Sequence, residues 1–102
     1  MKAIQFHEYG DPNVLRLEDI PVPEPKPGEV LIRVQATGVN FADTLQRKNQ
    51  YVYTPTLPFT PGTEVAGTIE RLGADVKSFS IGQRVVAFTT DGGDASHRWQ
   101  RR

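Results

Sequence analysis

Short runs of alternating apolar and polar residues recur along the chain, and they predict β-strands. In EVLIRVQATGV (29–39), apolar residues occupy every second position from Val30 to Ala36 and are assigned to one face of a strand. Arg33, Gln35 and Thr37 are assigned to the opposite, polar face. This alternation is typical of a half-buried strand. The other predicted strands cover residues 2–7, 14–18, 64–72 and 84–90. Gly67 inside the fourth of these five strands indicates a bulge or a close backbone approach.

Segments rich in proline and glycine separate these runs. PVPEPKPGE (21–29) holds four prolines and a glycine, which predicts an extended connector ending in a turn. TPTLPFTPG (54–62) is a second loop of this kind, and residues 73–83 are expected to form a loop whose apolar side chains tuck inward: Val76, Phe79 and Ile81. Several short strands with frequent turns predict an antiparallel barrel or sandwich.

One short helix is predicted within GVNFADTLQRKNQY (38–51). Asn40 is a good N-cap, and Asp43 can interact with the free amides of the first helical turn. Asn49 follows two basic residues and can adopt the left-handed conformation that ends a helix. The same polar residues that suit a helix start would also suit the lining of a site, and the pattern leaves both interpretations open.

Composition narrows the function classes. The chain has 102 residues, enough for one domain, and its 12 Lys plus Arg balance its 12 Asp plus Glu. The zero net charge gives no electrostatic case for nucleic acid or an anionic membrane. No cysteine is present, which excludes disulfides and thiolate metal sites. Its longest apolar runs, VLI and VVAF, are far shorter than a membrane span, so a soluble, cytoplasmic protein is expected.

Two long segments resemble a known family. MKAIQFHEYGDPNVLRLEDIPVPEPKPGEVLIRVQATGVNFADTLQR and PFTPGTEVAGTIERLGADVKSFSIGQRVVAF are similar to the start of medium-chain dehydrogenases/reductases, most of all the zinc-free NADPH:quinone oxidoreductases of the zeta-crystallin type. The resemblance implies a mainly β fold over residues 1–93, a GroES-like, partly open β-barrel with one short helix. In that family the barrel packs against a Rossmann domain. The Gly-x-Gly-x-x-Gly fingerprint of that domain does not occur here, so we expect the Rossmann domain to be absent from this chain.

The resemblance also implies a site without metal. Zinc-dependent relatives carry a cysteine where Asn40 stands and Gly-His-Glu where residues 62–64 read Gly-Thr-Glu. Both of those zinc ligands are therefore replaced. A zinc site needs three or four converging ligands, and the only histidines, His7 and His97, lie near opposite ends of the sequence.

The activity that the resemblance implies is NADPH-dependent reduction of a quinone or an enone. The hydride passes directly from the cofactor to the acceptor, and the protein positions both and stabilises charge on the acceptor oxygen. By resemblance, Asn40 and Thr63 face the nicotinamide end of the cleft, Tyr51 lines the substrate side, and Asp43 is a further lining candidate. Each of these residues also has a purely structural interpretation. Asn40 would be a helix cap and Thr63 a turn hydroxyl, Tyr51 would be an ordinary surface tyrosine, and Asp43 would make a hydrogen bond at the helix start. Tyr53 is an adjacent candidate.

The final residues depart from the family. Relatives continue from the last strand into an aromatic, apolar segment, whereas residues 94–102 read DASHRWQRR. We interpret them as an atypical polar tail from a shifted reading frame, an alternative exon or a truncated gene model. A chain with only the substrate-side domain is expected to be inactive alone. The alternative is a non-catalytic truncated isoform or interaction module that binds a full-length partner, and homo-oligomerisation is left open.

Overall fold

The computed structural model describes residues 1–52, 54–89 and 97–101. In chain order the elements are β1 (Lys2–Gln5), a 3-10 turn (Pro12–Val14), β2 (Arg16–Asp19), β3 (Glu29–Gly38), α1 (Phe41–Arg47), β4 (Glu64–Leu72), β5 (Arg84–Phe88) and β6 (His97–Arg101). The described residues therefore form a mainly β domain with one α-helix, as the sequence predicts.

The strands form two antiparallel sheets that do not close on each other. β1 pairs with β2, and a four-stranded sheet has the order β5-β4-β3-β6. An isolated bridge joins the segment after β1 to the second proline-rich loop, where Phe6 and Phe59 exchange backbone hydrogen bonds of 3.0 Å. This arrangement confirms the partly open barrel.

The main core lies against one face of β3 and β4, the two central strands. Its buried members are Val30, Ile32, Val65, Ile69 and Val76. Burying an aliphatic side chain of this size stabilises the fold by about 1.5–3 kcal/mol. The close approach predicted at Gly67 is also confirmed, since a Cβ there would lie closer than 3.0 Å to the carbonyl oxygen of Arg33.

The predicted apolar face of β3 is wrong at Ala36. Val34 pairs with Gly67 and Ala36 pairs with Ala66, so β3 carries one extra residue between these two pairs. This β-bulge places Ala36 on the exposed side of the sheet, with Arg33. Strict alternation cannot reveal a bulge, because the extra residue moves every later side chain to the opposite face.

The loops follow the prediction except at one residue. Residues 20–28 form neither strand nor helix, and the turn falls at Gly28, which has a φ of 81°. Val76 is buried and Phe79 packs against the core, but Ile81 is 67% exposed and its predicted inward position is wrong. Ile81 lies inside the turn closed by the hydrogen bond from Gln83 N–H to the Ser80 carbonyl, which carries it away from the core.

The end of the chain is partly described. The backbone of β6 pairs antiparallel with β3, from Arg33 opposite His97 to Glu29 opposite Arg101. Residues 90–96 and 102, which include the predicted domain boundary at residue 93, lie outside the described residues. That boundary and the origin of the tail stay predictions.

No helix within the described ranges has the length and apolar character needed to cross a membrane.

Candidate functional site

The start of α1 is fixed by Asn40 and Asp43. Asn40 is the N-cap and has an extended conformation, with φ −121° and ψ 160°. Its backbone N–H donates to Oδ2 of Asp43 at 2.9 Å, and the N–H of Asp43 donates to the Asn40 carbonyl at 3.0 Å. The carboxylate thus satisfies an amide ahead of the helix, which is the reach-back half of a capping box. The predicted position of Asn40 as the N-cap is confirmed.

The end of α1 is equally well defined. Asn49 has a φ of 57°, and its N–H donates to the carbonyl of Gln46 at 3.1 Å. The N–H of Gln50 donates to the carbonyl of Leu45 at 2.8 Å. Together these bonds form a Schellman motif, which confirms the predicted left-handed stop and sets where Tyr51 leaves the helix.

Polar side chains form the buried face of α1. Asp43, Gln46 and Arg47 are buried, whereas Phe41 is 77% exposed. The guanidinium of Arg47 donates to the carbonyl of Gly10, and the N–H of Gly10 donates to the Arg47 carbonyl at 2.9 Å. These reciprocal bonds hold the helix against the segment that follows β1.

The sheet register brings the helix start close to the start of β4. Gly38, the last residue of β3, pairs with Glu64, and Glu64 pairs with Phe88. Asn40 lies two residues after Gly38, and Thr63 lies directly before Glu64. The end of β3, the start of β4 and the end of β5 therefore meet at one edge of the sheet, and both predicted polar residues lie there.

Thr63 is held in place by a residue that the sequence analysis did not single out. Thr89 is only 5% exposed, and its N–H donates to the Thr63 carbonyl at 2.6 Å. The Thr89 hydroxyl donates to the carbonyl of Gly62 at 3.2 Å. Nothing in the local sequence signals this role, because it depends on the pairing of β4 with β5.

Asp43 differs from Asn40 in its surroundings. It is 7% exposed, and its Oδ1 is buried with no hydrogen-bond partner in the described part of the chain. Asn40, in contrast, is exposed. The buried carboxylate of Asp43 therefore holds the backbone of Asn40 from inside the protein, while Asn40 itself is exposed at the surface.

Tyr51 lies past the other end of α1 from Asn40. It follows the C-terminal end of the seven-residue helix, whose axis is about 10 Å long. Its exposure is 36%. The second tyrosine candidate, Tyr53, lies outside the described residues.

Some charged groups away from this edge pair with one another instead of forming a metal site. Among the described residues, no group of three or more His, Cys, Asp or Glu is arranged to hold a metal ion. His7 lies 2.7 Å from a carboxylate oxygen of Glu18 on the surface. A hydrogen bond from Lys2 lowers the pKa of Asp19, and this pair belongs to the β1–β2 sheet rather than to the candidate site.

The chain is similar to several known proteins. Residues 26–100 match the alcohol dehydrogenase GroES-like domain. Quinone oxidoreductase from Rattus norvegicus is 47% identical over 94 residues, which cover 91% of this chain and 29% of the rat protein.

Two solved structures extend the comparison. The human synaptic vesicle membrane protein VAT-1 homolog-like protein superposes with a TM-score of 0.95 at 39% identity, over 98% of this chain and 32% of its own. Escherichia coli quinone oxidoreductase complexed with NADPH superposes with a TM-score of 0.91 at 35% identity, over 97% of this chain and 30% of its own. The chain spans less than a third of the length of these relatives. It belongs to the alcohol dehydrogenase GroES-like domain family, as an N-terminal domain of the quinone oxidoreductase type of medium-chain dehydrogenase/reductase.

Proposed function

We propose that this chain forms the acceptor-facing wall of a metal-independent, NADPH-dependent oxidoreductase for quinones and related electrophilic carbonyls. The observation that carries the proposal is the placement of Asn40 and Thr63 at one edge of the sheet. The similarity to quinone oxidoreductases, one of them complexed with NADPH, supports the substrate class and the cofactor.

The polar groups at this edge fit the reacting end of such a site. Asn40 has an amide with two N–H donors, and Thr63 has a hydroxyl, which suit a carbonyl or carboxamide oxygen. The sequence contains no Gly-x-Gly-x-x-Gly segment, so its residues fit the reacting end and not the pyrophosphate of a dinucleotide. When bound, NADPH supplies the hydride.

The role of the two side chains is electrostatic. The acceptor oxygen becomes more negative as the acceptor is reduced, and fixed hydrogen-bond donors lower the energy of that charge. Fixed donors need a rigid backbone. The carboxylate of Asp43 holds the backbone N–H of Asn40, and Thr89 holds the carbonyl of Thr63. Asp43 thus acts through Asn40 as a positioning residue.

Apolar surface beside the donors suits a planar acceptor. Phe41 directly follows Asn40 and is 77% exposed, so its ring is available to pack against a quinone ring. Tyr51 completes the proposed lining on the substrate side, which rests on its resemblance to a family tyrosine. Its position past the Schellman motif sets it at the far end of α1 from Asn40.

The proposal also states that the chain alone does not catalyse the reduction of quinones by NADPH. We expect the purified 102-residue chain to show no oxidation of NADPH with a simple quinone. A chimera in which residues 1–89 replace the matching segment of a full-length quinone oxidoreductase is expected to regain turnover. Robust turnover by the chain alone would overturn the predicted inactivity. A folded chimera that binds NADPH but reduces no quinone would overturn the proposed role of this domain.

A second candidate function is a non-catalytic interaction module. It is favoured by the exposed apolar side chains of β5, where Val86 is 84% exposed and Phe88 is 77% exposed. Clustered apolar surface of this kind often marks a binding face. An inactive chain that associates reversibly in solution would support this function, and a clean monomer would count against it.

A further inference from the structure

On the side of the four-stranded sheet opposite the main core, the side chains beyond the buried Leu31 form an ordered array, which we call the outer face. Cross-strand pairing of β3, β4 and β5 arranges it in three rows. From one end to the other, these are Arg33, Thr68 and Arg84, then Ala36, Ala66 and Val86, and then Gly38, Glu64 and Phe88. The first row is basic, the middle row is apolar, and the third row holds a carboxylate.

Much of this face is exposed, and its charged groups have few ion-pair partners among the described residues. Val86 and Phe88 are among the most exposed large apolar residues of the described chain. Neither Arg84 nor Glu64 forms an ion pair with another described residue. Arg33 approaches a carboxylate oxygen of Glu70 only to 3.9 Å. The outer face therefore offers apolar surface together with available charges of both signs.

The position of the carboxylate on this face is well defined. A Cβ at Gly38 would lie closer than 3.0 Å to Oε1, Cδ and Cγ of Glu64. The side chain of Glu64 therefore extends from β4 over Gly38 on β3. The negative charge therefore lies over β3, the strand that carries Arg33, at the opposite end of the array.

We propose that two copies of this chain associate through their outer faces, related by a two-fold axis that lies between the sheets and runs perpendicular to the strands. This rotation keeps each strand above its counterpart and reverses the order of the rows. The first row of one copy then faces the third row of the other. Glu64, lying over Gly38, meets Arg33 of the second copy, and Phe88 meets Arg84 of the second copy.

The symmetry makes each contact occur twice. Two Glu64–Arg33 ion pairs form, and two Arg84 guanidinium groups lie over Phe88 rings in cation–π geometry. Between them, the middle rows of the two copies meet, and their alanines allow the sheets to approach to the usual separation of about 10 Å. Gly38 leaves room for the ion pair because it has no side chain.

This charge pattern favours a second copy over another occupant. The basic and acidic ends of the outer face are exchanged by the rotation, so the face complements itself without any feature from another protein. The competing occupant is the remainder of a longer family chain, since the relatives are about three times as long as the segment matched here. If the remainder of a longer chain is the occupant, this chain is expected to be a monomer at every concentration.

Sedimentation equilibrium of the purified 102-residue chain, from low to high micromolar concentration, tests the proposal. We expect a reversible monomer–dimer equilibrium. Glu64→Arg and Arg33→Glu should each weaken dimerisation at least about tenfold, because each places like charges opposite one another. The double variant Glu64→Arg/Arg33→Glu should restore an affinity within about threefold of the wild type, because it re-forms the pairs in reverse.

Further variants separate the interface from general effects on folding. Val86→Lys should abolish the dimer while the circular dichroism spectrum is unchanged, because this side chain is exposed in the single chain. Leu17→Lys, on β2 and 68% exposed, is the matched apolar control, and Lys77→Glu is the matched charge-reversal control. Both controls should dimerise like the wild type.

Three results would overturn the proposal. One is a wild-type chain that stays monomeric over the whole range. Another is a dimer that the Val86→Lys and single charge-reversal variants leave intact, or that the double variant fails to restore. The third is growth into open-ended assemblies, because a two-fold contact closes at two copies.

Discussion

At the residue scale, two glycines determine how closely the central strands approach each other. A Cβ at Gly67 would meet the backbone carbonyl of Arg33, whereas a Cβ at Gly38 would meet the side chain of Glu64. Both contacts would be closer than 3.0 Å. The backbone of a paired strand cannot move without breaking the ladder, but a glutamate side chain can change rotamer.

The two glycines should therefore differ in their response to alanine. Gly67→Ala is expected to lower the free energy of unfolding by about 3 kcal/mol or more, because the strand must shift. Gly38→Ala should cost about 1 kcal/mol, the price of moving Glu64 off its preferred rotamer. Urea unfolding followed by circular dichroism measures both. Equal losses for the two variants would contradict the close approach at Gly67.

Residue-level predictions from sequence succeeded where the signal is local. Asn40 at the helix start and Asn49 at its end were identifiable because capping depends on residues within a few positions of each other. Ala36 and Thr89 were not identifiable in this way. Their positions depend on which residue of a neighbouring strand they oppose, and this register is set by the whole sheet.

At the scale of elements, an exposed ion pair links the two strands of the small β1–β2 sheet. Lys2 and Asp19 are cross-strand partners, and their Nζ and Oδ2 atoms are 2.5 Å apart. The hydrogen bond from Lys2, with its positive charge, stabilises the ionised carboxylate and lowers its pKa. The pair is exposed, so salt weakens the Coulombic part of this effect.

This pair gives a pH dependence with a defined sign. Because the pKa of Asp19 is lower in the folded state, its contribution to stability is complete above the unfolded-state pKa. It is lost as the pH falls through the folded-state pKa. In an NMR titration of the carboxyl carbon, Lys2→Ala should raise the pKa of Asp19 towards its ordinary value. Lys77→Ala is the control and should leave it in place. An unchanged Asp19 titration in Lys2→Ala would contradict the assignment of Lys2 as the cause.

Elements were predicted more successfully than their faces. β4 begins and ends where the alternation predicts, and the connector at residues 20–28 is free of strand and helix. The buried face of α1 was not predictable from hydrophobicity, because it consists of Asp43, Gln46 and Arg47. These polar groups are buried where backbone partners such as the Gly10 carbonyl are available, and only the tertiary structure supplies those partners.

At the scale of the whole molecule, two surfaces meet near the end of the sheet. The edge with Asn40 and Thr63 is the proposed acceptor wall, and the outer face with Glu64 and Phe88 is the proposed dimer surface. Thr63 directly precedes β4 and Glu64 is the first residue of that strand. One short segment therefore contributes to both surfaces.

The sequence alone led to the fold and to this edge largely through family resemblance. Composition excluded whole classes of partner, but no spacing within the chain shows that Asn40 and Thr63 lie near each other. They are separated by 22 intervening residues and come together only because Gly38 pairs with Glu64. The exposed outer face could not be predicted, since the strand pattern does not show which polar face meets solvent and which meets a partner.

The most direct measurement compares kcat/KM for quinone reduction in the chimera that carries residues 1–89. Thr63→Val, which removes the hydroxyl, and Asn40→Asp, which keeps the helix cap but removes the amide donors, should each lower kcat/KM about tenfold or more. Thr63→Ser keeps the hydroxyl and should stay close to the parent chimera. If Thr63→Val and Asn40→Asp both retain the kcat/KM of the parent while folding and binding NADPH normally, this edge of the sheet is not the acceptor wall.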